Sequence, residues 1–148
     1  METWQQMLRE SVHSVEELVE KFNLDKEDAK RLAEFFQARI NPYYLSLIRY
    51  PGDPIWLQCV PDKKELLDYD AIEDPLSEDQ MSPVPNIVHR YPDRVLFLIS
   101  SQCGMYCRFC TRKRKVGNSE KISLKNLESA FKYIEENKQI RDVILSGG

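Results

Sequence analysis

At 148 residues the chain is long enough for one domain with a real core. Its 42% hydrophobic and 30% charged residues are ordinary for a soluble globular chain, and a net charge of −3 gives no electrostatic reason to expect nucleic acid or a membrane surface as partner. No basic-then-apolar start and no apolar run of membrane-spanning length is visible, so the expected compartment is the cytoplasm. Four cysteines, three of them clustered, fit a reducing compartment and a metal site better than a disulfide framework.

In chain order, residues 1–49 read as a helical subdomain. Ser14 followed by Glu17 makes a capping box ahead of Leu18 and Val19. Asp25 can cap a second helix carrying Ala29, Leu32, Ala33 and Phe36 at helical spacing. Asn41-Pro42 offers a cap and a first-turn proline for a third.

Residues 50–94 carry prolines at 51, 54, 61, 75, 83, 85 and 92, which break any long element, and an acidic stretch from Asp68 to Asp79. An ordered, mostly extended crossing segment is expected. Cys59, among apolar neighbours, reads as a buried small hydrophobe.

Residues 95–148 read as strand, loop, helix, strand. Val95 to Ser100 is a short continuous apolar run, as a parallel strand buried on both faces should be. A loop over 101–117 follows. Ser123 can cap a helix with Leu127, Ala130, Phe131 and Ile134, and Asp142 to Ser146 reads as a second buried strand. In a right-handed unit of this kind, ligand groups gather at the C-terminal ends of the strands. Two parallel strands and one helix cannot cover both faces of a sheet, so the chain is expected to be the N-terminal part of a longer α/β protein.

The loop holds Cys103, Cys107 and Cys110 in the spacing C-x3-C-x2-C. Three thiolates can hold three irons of a cubic 4Fe–4S cluster and leave the fourth open. A structural zinc site with His13 or His89 as fourth ligand is the bland alternative, but zinc sites come as two close pairs and no second pair is present. The spacing resembles that of radical S-adenosylmethionine enzymes. There the open iron takes S-adenosylmethionine, whose cleavage yields a 5′-deoxyadenosyl radical. The same resemblance puts Tyr106 near adenine, with plain core packing as the rival, and Gly147-Gly148 beside the amino group of S-adenosylmethionine, with a simple turn as the rival. In Thr-Arg-Lys-Arg-Lys at 111–115, Arg112 is placed to hold a carboxylate bidentately, while Lys113, Arg114 and Lys115 read as surface or loop-tying charges. Arg90, Tyr91 and Arg94, in His-Arg-Tyr-Pro-Asp-Arg at 89–94, form a plausible phosphate-binding group; an Arg–Asp surface pair is the alternative.

Val-His-Arg-Tyr-Pro-Asp-Arg-Val-Leu at 88–96, Cys-Gly-Met-Tyr-Cys-Arg-Phe-Cys-Thr-Arg-Lys-Arg at 103–114, and Asn-Pro-Tyr-Tyr-Leu-Ser-Leu-Ile at 41–48 together resemble the lysine 2,3-aminomutase family. The Asp-Pro pairs at 53–54 and 74–75 are similar too. The resemblance implies a partial radical S-adenosylmethionine (β/α) barrel, of which 95–148 supplies the first βαβ unit, and an isomerase that moves an amino group from α- to β-carbon on a pyridoxal 5′-phosphate-bound amino acid. It implies Cys103, Cys107 and Cys110 as cluster ligands, and Arg90, Tyr91 and Arg94 at pyridoxal phosphate. It further implies Arg112 at the substrate carboxylate and Gly147 and Gly148 at S-adenosylmethionine. An electron donor such as flavodoxin or ferredoxin, and homo-oligomers formed through the helical region, are implied as partners. The family's Schiff-base lysine has no counterpart within these residues, and nothing here separates lysine from glutamate as substrate. Phe109 stands where relatives often have His. The rival expectations are a radical enzyme without pyridoxal phosphate, and a catalytically dead iron–sulfur-binding chain.

Overall fold

The computed structural model describes residues 3–67, 72–118 and 122–148, so the first residues of the expected acidic stretch, 68–71, lie outside the described residues. The chain divides into two compact units, Met1–Ala71 with Gly104–Cys110, and Ile72–Cys103 with Thr111–Gly148.

The first unit is helical. Helix α1 (Trp4–Arg9) starts where Thr3 accepts from the Gln6 amide. The Ser14 hydroxyl accepts from Glu17 N, but the Glu17 carboxylate accepts from His13 N rather than Ser14 N, so the expected capping box forms only in part. It opens a 3-10 turn, Glu16–Leu18, that runs into α2 (Val19–Phe22) and stops at Asn23 in the left-handed region (φ 50°). Helix α3 (Lys26–Phe35) is capped by Asp25, which accepts from Asp28 N at 2.8 Å. Helix α4 (Pro42–Leu47) is capped by Asn41 with Pro42 in its first turn, as expected. Helix α5 (Trp56–Cys59) begins where the buried Asp53 accepts from Trp56 N and Arg49 N, each at 2.7 Å. Those two backbone bonds hold the Asp53 carboxyl below its ordinary range. Leu18, Ile40, Leu45, Ile48, Trp56 and Cys59 form one core, and Val15, Ala29, Leu32 and Ala38 a second. Each large side chain so buried contributes about 1.5–3 kcal/mol.

The second unit is a mixed α/β layer. Strands β1 (Ile87–Tyr91), β2 (Arg94–Ser100) and β3 (Asp142–Gly147) form a sheet in that order. β1 and β2 are antiparallel, with Ile87 opposite Phe97; β2 and β3 are parallel, with Val95 opposite Val143. Helix α6 (Leu124–Glu136) follows its Ser123 cap and makes the crossover between β2 and β3. Its Ala130 packs with Ile87, Val95 and Phe97 to form the core of this unit.

The expectation for the last strand is corrected. β3 is in the expected place but is not buried: Val143, Ile144 and Leu145 are 40%, 54% and 63% exposed. Edge position alone is not the cause, since β1 is an outer strand too and its Ile87 and Val88 are buried; what differs is how little of the described chain packs on the faces of β3. The fold class is thus mixed α/β with a three-stranded sheet.

Candidate functional site

Cys103 lies three residues past the end of β2, in the second unit, whereas Cys107 and Cys110 belong to the stretch Gly104–Cys110 of the first. All three are half-buried and outside any disulfide. The stretch 104–110 is pinned by backbone bonds. Ile40 bridges Met105, Tyr106 N donates to Arg39 O at 2.9 Å, and Arg108 N donates to Gln58 O at 2.8 Å. Asn41 Nδ2 donates to Gly104 O. The loop then turns, with Cys110 N donating to Cys107 O. Tyr106 is half-buried and Phe109 is exposed.

Among the described residues no three His, Cys, Asp or Glu side chains lie close enough together to hold a metal ion. The fit to an iron–sulfur cluster rests on donor chemistry: three half-buried thiols, soft donors with no competing disulfide. The end of β3 adds a second observation. A Cβ on Gly147 would stand 2.8 Å from Ser100 O, and one on Gly148 (φ +83°) would stand 3.2 Å from Cys103 Sγ. Glycine therefore leaves space beside the Cys103 thiol.

Beside this strand end lies a cavity of about 210 Å3, lined by Ser100, Ser101, Arg112, Lys115, Asn126 and Gly148 among others. Arg112 does not reach it as a bare cation. Its Nε and Nη2 donate to the Glu78 carboxylate at 2.8–3.1 Å, and the Glu78 side chain is only 6% exposed. Arg114 reaches Asp74 at 2.8 Å and Asp79 at 3.1 Å, and Lys115 reaches Asp79 at 2.9 Å. Arg114 and Lys115 thus tie the loop to the acidic stretch. The hydrogen bonds from Arg114 and Lys115 pull the Asp79 carboxyl down to about 2.

On β1, Arg90 and Tyr91 are exposed. Arg94 pairs with Asp93 through both Nε and Nη2 at 2.9 Å and sits 5.9 Å from the Tyr91 ring centre. Cys59 is fully buried, its thiol donates to Ile55 O, and burial together with Asp53 and Cys107 pushes it up to about 12.

Sequence reasoning passed over Glu78, and over Glu65, which holds Arg108. The available signal for Glu78 was charge complementarity between the acidic stretch ending at Asp79 and the basic run at 111–115.

No protein-family model matches the chain. Known proteins do. It is 45% identical over 152 residues to the L-lysine 2,3-aminomutase of Clostridium subterminale, covering 98% of this chain and 36% of that protein. It is 50% identical over 129 residues to the L-lysine 2,3-aminomutase of Methanococcus maripaludis, covering 84% of this chain and 30% of that protein. It is also 39% identical over 127 residues to the glutamate 2,3-aminomutase of Clostridioides difficile, again covering 84% and 30%. A mixed α/β chain carrying the C-x3-C-x2-C spacing, with Cys103 beside the glycine end of β3, is thereby placed among relatives of the amino-acid 2,3-aminomutases. It belongs to the lysine 2,3-aminomutase family, and it spans about a third of the length of the curated relatives it matches.

Proposed function

We propose that the protein carrying this chain is a radical S-adenosylmethionine, pyridoxal-phosphate-dependent amino-acid 2,3-aminomutase acting on a small-molecule amino acid. The observation that carries the reading is the 43–50% identity to several L-lysine 2,3-aminomutases in a chain that contains C-x3-C-x2-C. In this reading the second unit opens a partial (β/α) barrel. The cluster with S-adenosylmethionine supplies radical hydrogen-atom abstraction, and pyridoxal phosphate supplies an electrophilic anchor for the migrating amine.

The chain's own residues bind and orient. Cys103, Cys107 and Cys110 supply three thiolates and leave one iron open for S-adenosylmethionine. Gly147 and Gly148 admit that ligand by lacking side chains, and Tyr106 flanks its adenine. Arg90, Tyr91 and Arg94 hold the phosphate of pyridoxal phosphate, and Arg112 orients the substrate carboxylate. A low-potential electron donor of the flavodoxin or ferredoxin type and a homo-oligomer are the implied partners.

The test is anaerobic reconstitution of the full-length protein with iron, sulfide and pyridoxal phosphate, followed by incubation with S-adenosylmethionine, reductant and either lysine or glutamate. A β-amino acid product from one of them, lost in Cys103→Ala, is expected. Undiminished product in Cys103→Ala overturns the reading, and whichever amino acid turns over identifies the substrate.

A further inference from the structure

Arg108 sits between Cys107 and Cys110, yet its guanidinium is engaged elsewhere. Nε and Nη2 donate to the two oxygens of Glu65 at 3.0 and 2.6 Å, with the Arg108 side chain only 9% exposed. The same guanidinium lies 4.7 Å from the ring centre of Phe36. Glu65 is itself held, since its Oε1 also accepts from Asp62 N at 3.1 Å. Arg108 N donates to Gln58 O, so both ends of this residue are tied to the helical unit. A bidentate, nearly buried pair has one geometry, and a residue fixed at both ends fixes its neighbours on the chain. The two neighbouring thiol positions are one and two residues away.

We infer that the Arg108–Glu65 pair, stacked on Phe36, sets where Cys107 and Cys110 stand, so that Arg108 and Glu65 are positioning residues for two of the three thiol ligands. The inference rests on the reading of these cysteines as cluster ligands. The helical unit carries two of the thiols on a stretch clamped to its own 3-10 turn, Lys63–Leu67. A charge that served the cluster electrostatically would turn toward the thiolates; this one is turned to a carboxylate and neutralised by it.

The test uses the full chain with Glu65→Gln, Arg108→Lys and the swap Glu65→Arg/Arg108→Glu. Iodoacetamide labelling of each cysteine is followed by mass spectrometry in the metal-free protein, alongside iron and sulfide content after anaerobic reconstitution. Glu65→Gln is expected to speed labelling of Cys107 and Cys110 by about tenfold, the factor given by about 1.4 kcal/mol in a local opening equilibrium. Labelling of Cys103 stays at the wild-type rate, and the swap recovers part of the loss. Iron content falls in step. Unchanged labelling of Cys107 and Cys110 in folded Glu65→Gln and Arg108→Lys overturns the inference, as does equal acceleration at Cys103, which signals general loosening. If the wild type takes up no iron while the labelling pattern still shifts as stated, the cluster reading fails and the clamp stands.

Discussion

Arg112 and Glu78 form a bidentate ion pair across 34 residues of chain, with three donor–acceptor distances of 2.8–3.1 Å and Glu78 almost fully enclosed. On the proposed function, a substrate carboxylate approaching Arg112 meets a guanidinium whose Nε–Nη2 edge is already engaged. That engagement fixes the plane of the guanidinium, which is useful for bidentate recognition.

The same pair sets a stability prediction. Removing one partner of a buried pair strands the other charge and costs about 3–5 kcal/mol; Arg112 is 23% exposed, so Glu78→Ala is expected to cost about 2–3 kcal/mol. Lys115 stands 3.6 Å from the same carboxylate and contributes less, so Lys115→Met should cost under about 1 kcal/mol. Urea unfolding of the two variants checks the order. Equal losses would mean that Lys115, through Glu78 and Asp79 together, contributes as much as the Arg112–Glu78 pair.

Asp79 gives the unit a pH dependence. Its carboxyl is held at about 2 against an ordinary 3.8, chiefly by the hydrogen bond from Arg114 and then that from Lys115. A depressed folded-state value means that the stabilisation is present above the ordinary value and is lost as pH falls. The window runs from about pH 4 down to about pH 2. Asp79→Asn should flatten the urea midpoint against pH across that window. Because the Asp79 side chain is 61% exposed, added salt should shrink the effect in the wild type. A slope that survives Asp79→Asn assigns it to other carboxylates.

The local signals were legible because their partners are three residues away. Asp25, Asn41 and Ser123 each accept from the amide three positions on, and α3, α4 and α6 begin where those caps fall. Val95 to Ser100 announced β2 by composition. The burial of β3 was not legible: Val-Ile-Leu specifies an apolar strand, but which faces are covered depends on what packs there. Strand β1 was missed because Val-His-Arg-Tyr mixes apolar and charged residues, although Pro92-Asp93 makes a two-residue turn that returns the chain antiparallel onto it. Glu78 and Glu65 find their arginines 34 and 43 residues away, and pairing over such a distance is decided by tertiary approach rather than by local pattern.

Cys59 should behave unlike the other cysteines. It is fully buried and its thiol is pushed up to about 12, whereas Cys103, Cys107 and Cys110 are half-buried. The thiolate is the nucleophile, so at about pH 8 in the folded protein Cys59 should resist iodoacetamide while the other three react. In urea all four should label. Because its folded-state value lies above the ordinary 9.0, the stability it confers is present below about pH 9 and declines as pH rises toward about 12. Labelling of Cys59 at the rate of the loop cysteines would mean that α5 opens readily.

The glycines closing β3 should tolerate nothing larger. Gly147 lies opposite Ser100, and a Cβ there would sit 2.8 Å from Ser100 O and 2.9 Å from Ser100 Cβ, backbone contacts that no rotamer change relieves. Gly147→Ala must push β3 from β2, an overpacking of about 1–3 kcal/mol. At Gly148 the problem is different. Its φ of +83° strains any other residue by about 1 kcal/mol, and the new Cβ crowds Cys103 Sγ at 3.2 Å. Gly148→Ala should therefore lose little global stability in urea but slow alkylation of Cys103, and on the proposed function should weaken S-adenosylmethionine binding in the reconstituted protein. An unaltered Cys103 rate would show that the thiol can turn aside, and that the glycine does not guard the space beside it.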